Sequence, residues 1–200
     1  MSADEPRKRP RQARAAATVD AVVEASARIL EAGGLGAFNT NAVAAKAGVS
    51  IGSLYQYFPN KDAILAELIR REAKAFDQAL AQGLADTAQL GTSSAVALLA
   101  RVAVAHQASR PRLSRILDLE EQRLGLSDEA DASDTRTGGI IARFVAERRL
   151  GDAEAAWDIL HLSRGLIDGA LERGAAEGLE QRLTWAILGY LALSRQAPTA

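Results

Sequence analysis

The sequence predicts an all-α chain: an N-terminal three-helix helix-turn-helix domain followed by a longer C-terminal helical domain. Three observations predict it. Alanine is abundant among the 48% of residues that are hydrophobic, and runs of β-branched residues are short, which favours helix almost throughout. Glycine, asparagine, aspartate and serine punctuate the apolar pattern at helix-length intervals. The span Thr40–Lys61 also carries two closely spaced helix starts around one glycine.

The elements follow in order. Residues 1–12 read as a mobile basic arm. Residues 13–33 form a first helix whose apolar face is Val19, Val22, Val23, Ala27, Ile29 and Leu30, stopped by Gly33-Gly34. Phe38 leads into the next helix and is placed to pack in a three-helix core. Thr40 is the expected N-cap of that helix, with Val43, Ala44 and Ala47 on its inner face. Gly48 supplies the left-handed residue that a sharp exit requires. Ser50 is a second N-cap, and Ile51, Leu54 and Phe58 make an inward stripe at i, i+3 and i+7. Pro59 breaks the chain, and Asn60 caps a long helix from Lys61 to about Gly83, with Ile64, Leu65, Leu68, Ile69, Ala75, Phe76 and Leu80 buried.

Further on, the cluster 91–94 starts a strongly apolar helix over 95–109, expected to be buried on most sides. Pro111 opens another helix to about Leu124. Residues 127–150 form a helix that turns from polar to apolar, ending at Gly151. Asp152 caps a helix to about Arg173, 174–178 is a turn, and the last helix reaches about Arg195. The domains are therefore expected as an arm over 1–12, a helix-turn-helix over 13–60 and a second helical domain over 61–200.

The second helix of the turn motif faces outward with Gly52, Ser53, Gln56 and Tyr57, and Tyr55 stands at its edge. Small, hydrogen-bonding and aromatic groups on a helix of this kind suit the major groove of DNA. A glycine in the first turn of an exposed helix costs ~1 kcal/mol relative to alanine, which makes sense where the backbone comes close to a base pair. Gln56 suits bidentate pairing with adenine, and Ser53 can also reach base edges. The hydroxyls of Thr40 and Ser50 can cap helices and hold phosphates at once. Lys61 sits oddly at a positive helix end unless a phosphate lies beside it. The bland alternative is a purely structural helical hairpin in an interaction or scaffold protein. The exposed polar face argues for DNA.

Net charge over the 200 residues is −1, which argues against a nonspecific nucleic-acid coat, but the distribution is uneven. Residues 1–61 hold eight Lys/Arg against five Asp/Glu, and the remainder is net acidic. Arg7, Lys8, Arg9, Arg11 and Arg14 concentrate the positive charge just before the motif. They read equally as a solubilising tail or as an arm that follows phosphates or enters the minor groove.

The span Thr40–Lys61 resembles the DNA-binding module of TetR-family transcriptional regulators. The resemblance rests on Thr40, Val43-Ala44, Ala47-Gly48-Val49-Ser50, Gly52, Leu54-Tyr55, Tyr57-Phe58 and Lys61. With the preceding helix it extends over residues 15–80; beyond that it is architectural. It implies DNA contact at Thr40, Ser50, Gly52, Ser53, Tyr55, Gln56, Tyr57 and Lys61. It also implies a ligand-binding and dimerising second domain, binding of a palindromic operator as a homodimer, and repression released by a small-molecule effector. The DNA module does not encode the sign of regulation, so an activator of the same fold is an alternative.

Other functions find little support. The two histidines, His106 and His161, are far apart in sequence, and the chain has no cysteine, so no catalytic, metal or cofactor site is expected. No apolar stretch reaches the ~20 residues of a membrane span, and the expectation is a soluble cytoplasmic protein. Leu160, Leu166, Ile167, Leu183, Trp185, Leu188 and Leu191 give the last two helices wider apolar stripes than one pair needs. Gly165 and Gly169, four apart, allow close approach of another helix. Two protomers joined in a four-helix bundle satisfy both features; an intramolecular core is the alternative. His106, Trp157, His161 and Arg164 are candidates for an effector cavity, though a lone His or Trp on an apolar helix is more often ordinary core.

Overall fold

The computed structural model describes residues 8–194, and all regular structure within them is helical. The helices are α1 (Lys8–Gly33), α2 (Thr40–Ala47), α3 (Ile51–Tyr55), α4 (Lys61–Asp86), α5 (Thr92–Ser109), α6 (Pro111–Leu124), α7 (Ser127–Glu147), α8 (Ala153–Glu172) and α9 (Leu179–Ser194). They divide into two compact units. One holds the chain up to Arg71 together with Arg112–Leu126; the other holds Glu72–Pro111 and the chain from Ser127 onward.

The first unit is built on α1, α2 and α3. Val22, Val23, Ala27 and Leu30 of α1 meet Val43 and Ala44 of α2, Leu54 of α3 and the loop residues Phe38 and Phe58. Ile64, Leu65, Leu68 and Ile69 from the start of α4 close the core. Asn60 Oδ1 accepts the Ala63 amide at 2.8 Å, so the expected cap of α4 is present. The same core takes in Leu113 and Leu117 of α6, both buried. Burying a leucine side chain contributes ~1.5–3 kcal/mol relative to leaving it exposed, so this docking is a substantial part of the unit's stability. Two arginines add to it. Arg112 Nη1 donates to the carbonyls of Glu31 and Ala32, at 3.2 and 3.0 Å, in the last turn of α1. Arg123 donates to Asp62 of α4 and to Glu120, each at 2.7 Å.

The sequence-based boundary at residue 60 thus differs from the packing, which keeps 61–71 and 112–126 with the helix-turn-helix. The reason is physical. An apolar stripe on a helix states that it must be covered, not which core covers it.

Other differences concern element ends. The helix expected from residue 13 begins at Lys8, so the proposed arm is helical over its last five positions; its first seven residues, with Arg7, lie outside the described residues. The long helix runs to Asp86 rather than Gly83, and Ala75 on it is exposed rather than buried.

The second unit packs α7 on α8 and α5 on α8 and α9, with α8 also against α9. Its core includes Leu84, Val96, Ala100, Val104, Phe144, Ile159, Ile167, Leu183 and Ile187. α5 buries only the face carrying Ala95, Val96, Ala100 and Val104, not most of its surface as expected. Asp152 caps α8 by accepting the Ala155 amide at 3.1 Å, as its position predicts. Asp77 of α4 accepts from the Thr137 hydroxyl at 2.6 Å and pairs with Arg136 at 3.1 Å, which fixes α4 against α7.

Candidate nucleic-acid interface

α2 and α3 are held at a sharp turn by local chemistry. Gly48 ends α2 at φ 69°, the left-handed region that penalises any side chain. Its amide returns to Ala45 O and the Val49 amide to Ala44 O, so the helix end is satisfied. Ser50 caps α3 as expected: its hydroxyl accepts the Ser53 amide at 3.0 Å and meets the Ser53 hydroxyl at 2.8 Å. At the other helix start the cap is Asn39, not Thr40. Asn39 Oδ1 accepts the Ala42 amide at 2.9 Å, because the extended residue one position earlier points its side chain at the free amides. Thr40 is the first helical residue, and its hydroxyl meets the Tyr55 hydroxyl at 3.2 Å.

α3 is short, and Leu54 anchors it with no solvent exposure. Phe58, just after it, is buried as well. Ile51 departs from the expected inward stripe: it is 39% exposed, because one apolar anchor per turn is all that so short a helix can deliver to the core. Gly52 lies in open space, where an added Cβ would meet only Ser50 Oγ at 3.9 Å. Intramolecular packing therefore gives no reason for glycine there. Ser53 is half-buried, while Ser50, Tyr55, Gln56, Tyr57 and Lys61 are exposed. Gln56 and Tyr57 lie just past the last turn of α3.

The structure brings Thr40 and Tyr55 together as one hydroxyl pair and Ser50 and Ser53 as another. Gly52, Gln56, Tyr57 and Lys61 remain as separate exposed positions near them. Ile51, read from the sequence as part of the inward stripe, instead lies exposed next to Gly52. An isoleucine beside Gly52 on the outer face of α3 offers an apolar surface of the kind that meets a thymine methyl. Its hydrophobicity is what disguised it, since periodicity assigns such a residue to the core.

The second unit contains a cavity of about 620 Å³, the space at its mouth included, lined from α4, α5, α7, α8 and α9. None of the four cavity candidates read from the sequence is in its wall. His106 stacks on Phe76 with ring centroids 5.1 Å apart, and burial lowers its pKa against the pull of Glu72. Trp157 and His161 touch each other on the exposed side of α8, and Arg164 pairs with Asp134.

A turn-linked helix pair with an exposed polar second helix, among described residues whose regular structure is all helical, fits the helix-turn-helix class of regulators. Residues 22–68, which include α2 and α3, match the family described as "Bacterial regulatory proteins, tetR family", and the chain as a whole is similar to regulators of that family. It is 24% identical over 174 residues to the HTH-type transcriptional repressor KstR of Mycolicibacterium smegmatis, covering 83% of each chain. Its fold is similar to that of a TetR-family transcriptional regulator from Mesorhizobium loti, with a TM-score of 0.73 and 17% identity, covering 90% of this chain and 98% of that one. It is likewise similar to the fatty acid degradation regulator FadR of Bacillus halodurans, with a TM-score of 0.70 and 16% identity, covering 87% and 94%. No described helix is long and apolar enough to cross a membrane.

Proposed function

We propose that this protein is a cytoplasmic, non-enzymatic repressor that binds a palindromic operator as a homodimer and leaves it when a small molecule enters the second unit. The observation that carries the DNA reading is the outer face of α3 and its exit, where Gly52, Tyr55, Gln56 and Tyr57 are exposed around a buried Leu54. In this reading Gly52 lets the backbone approach the base pairs, and Ser53 and Gln56 read base edges. Thr40, Ser50, Tyr55, Tyr57 and Lys61 hold phosphates and set the register. Similarity to a protein described as a transcriptional repressor favours repression over activation. The cavity supports an effector site, and the unsatisfied apolar face of α8 and α9 supports the homodimer.

A gel-shift with the DNA upstream of its own gene tests the reading. Wild type should bind it in preference to unrelated DNA. Tyr55→Ala and Gln56→Ala should each weaken that binding, Gln56→Ala by the ~1–3 kcal/mol that a bidentate base contact discriminates, with the circular dichroism spectrum unchanged. Full affinity in both variants would remove the assignment of this face to DNA.

A further inference from the structure

Fourteen of the sixteen residues lining the cavity are apolar, among them Phe76, Leu99, Ala103, Ile141, Phe144 and Leu160; the other two are Thr137 and Ser163. No lysine, arginine, histidine or carboxylate is in the wall. The Thr137 hydroxyl already donates to Asp77 at 2.6 Å, so Ser163 is the lining group whose proton is available to a ligand.

Four arginines of this unit are committed elsewhere. Arg136 pairs with Asp77 at 3.1 Å, Arg143 with Glu147 at 2.7 Å and Arg164 with Asp134 at 2.9 Å. Arg148 donates to the carbonyls of Thr87 and Leu90 at 2.6 and 2.9 Å. An anion inside would lose its hydration without gaining a counter-charge, which strongly disfavours it. The unit's own charge acts the same way: residues 72–111 and 127–200 hold eleven Lys/Arg against fifteen Asp/Glu.

We propose that this cavity takes an uncharged, predominantly apolar molecule with a single hydrogen-bonding group directed at Ser163, such as a long-chain alcohol, and excludes the free carboxylate and other anions of the same body. This rests on the reading of the cavity as the effector site and specifies the chemistry of that effector. Ser163 contributes orientation; the apolar wall contributes affinity.

The full-length protein can be tested with two fluorophores that share a body and differ by one charge. N-phenyl-1-naphthylamine is neutral, and 8-anilinonaphthalene-1-sulfonate is its anionic counterpart. The neutral dye should bind at least about tenfold more tightly, and 1-dodecanol should displace it at lower concentration than dodecanoate. Ala103→Phe and Ala100→Phe, each checked for native circular dichroism, should remove dye binding by filling the cavity. Ser163→Ala should weaken 1-dodecanol by about three- to tenfold, the range of one net hydrogen bond, and leave dodecane unchanged. Equal or tighter binding of the anions overturns the proposal, as does dye binding that survives both filling variants in folded protein. Adding 1-dodecanol to the DNA complex separates the two readings. Release supports both; binding in the cavity without release upholds the ligand chemistry and overturns the effector role.

Discussion

At the start of α2 two adjacent side chains divide two jobs. Asn39 Oδ1 accepts the Ala42 amide, which would otherwise be an unsatisfied donor at the helix end. Thr40 points its hydroxyl at Tyr55 on the exposed surface. Asn39→Ala should therefore destabilise the protein by ~1 kcal/mol, read as a lower urea midpoint. Thr40→Ala should stay within ~0.5 kcal/mol of wild type in stability and lose affinity for the upstream DNA in the gel-shift. If Thr40→Ala proves the destabilising member and Asn39→Ala the one that spares stability but loses DNA, the division is wrong. The capping position was legible to within one residue, because Asn and Thr both suit an N-cap and only the backbone dihedrals choose between them. Ser50, with no competing neighbour of its kind before it, was read correctly. Ile51 was not, since hydrophobicity alone does not say that α3 is too short to bury it.

Among the elements, α6 shows how far a helix's role can lie from its place in the chain. Its start at Pro111 and its end near Leu124 are readable, yet its partners, Glu31 and Ala32, are some eighty positions earlier. A stripe of Leu113, Ile116 and Leu117 fits either core equally well on paper, and only packing assigns it to the first. Arg112 also occupies a special place, because its guanidinium meets the last carbonyls of α1 where the helix dipole is negative. Arg112→Ala should lower the stability of this unit by ~1 kcal/mol, with faster hydrogen exchange in the last turn of α1 than in its middle. Unchanged exchange there would show that α6 is held by its leucines alone. The helices of the second unit were read within a few residues because the 91–94 cluster, Gly151, Asp152 and the 174–178 turn mark their limits. Its cavity was not read, because a cavity is a shortfall of volume among five helices, and no residue in the sequence marks it.

For the molecule as a whole, assembly turns on what α8 and α9 leave uncovered. Trp185 is 63% and Leu193 68% exposed on α9, and Trp157 is 38% exposed on α8. An added Cβ at Gly165 or Gly189 would meet nothing within 4 Å, whereas one at Gly169 would meet the Arg173 guanidinium at 3.4 Å. Gly165 and Gly189, rather than Gly169, are thus the open small residues of this face. Large aromatics beside small residues on an exposed helical pair favour a self-complementary contact, in which the same patch serves both copies. Leu188 packs partly against the protomer's own core, so changing it would confound folding with assembly. Trp185→Arg is the cleaner variant, because the side chain lies mostly in solvent within one protomer. It should sediment as a monomer with wild-type helicity, while the parent sediments as a dimer at micromolar concentration. A monomer engages one half-site, and operators of this class place half-sites one or more turns, ~34 Å, apart. Losing the linkage between two recognition helices should reduce operator affinity by at least about a hundredfold, and affinity for unrelated DNA far less. A monomeric wild type, or a Trp185→Arg protein that remains dimeric and binds the operator in full, would remove this face from the assembly and with it the two-fold reading of the operator.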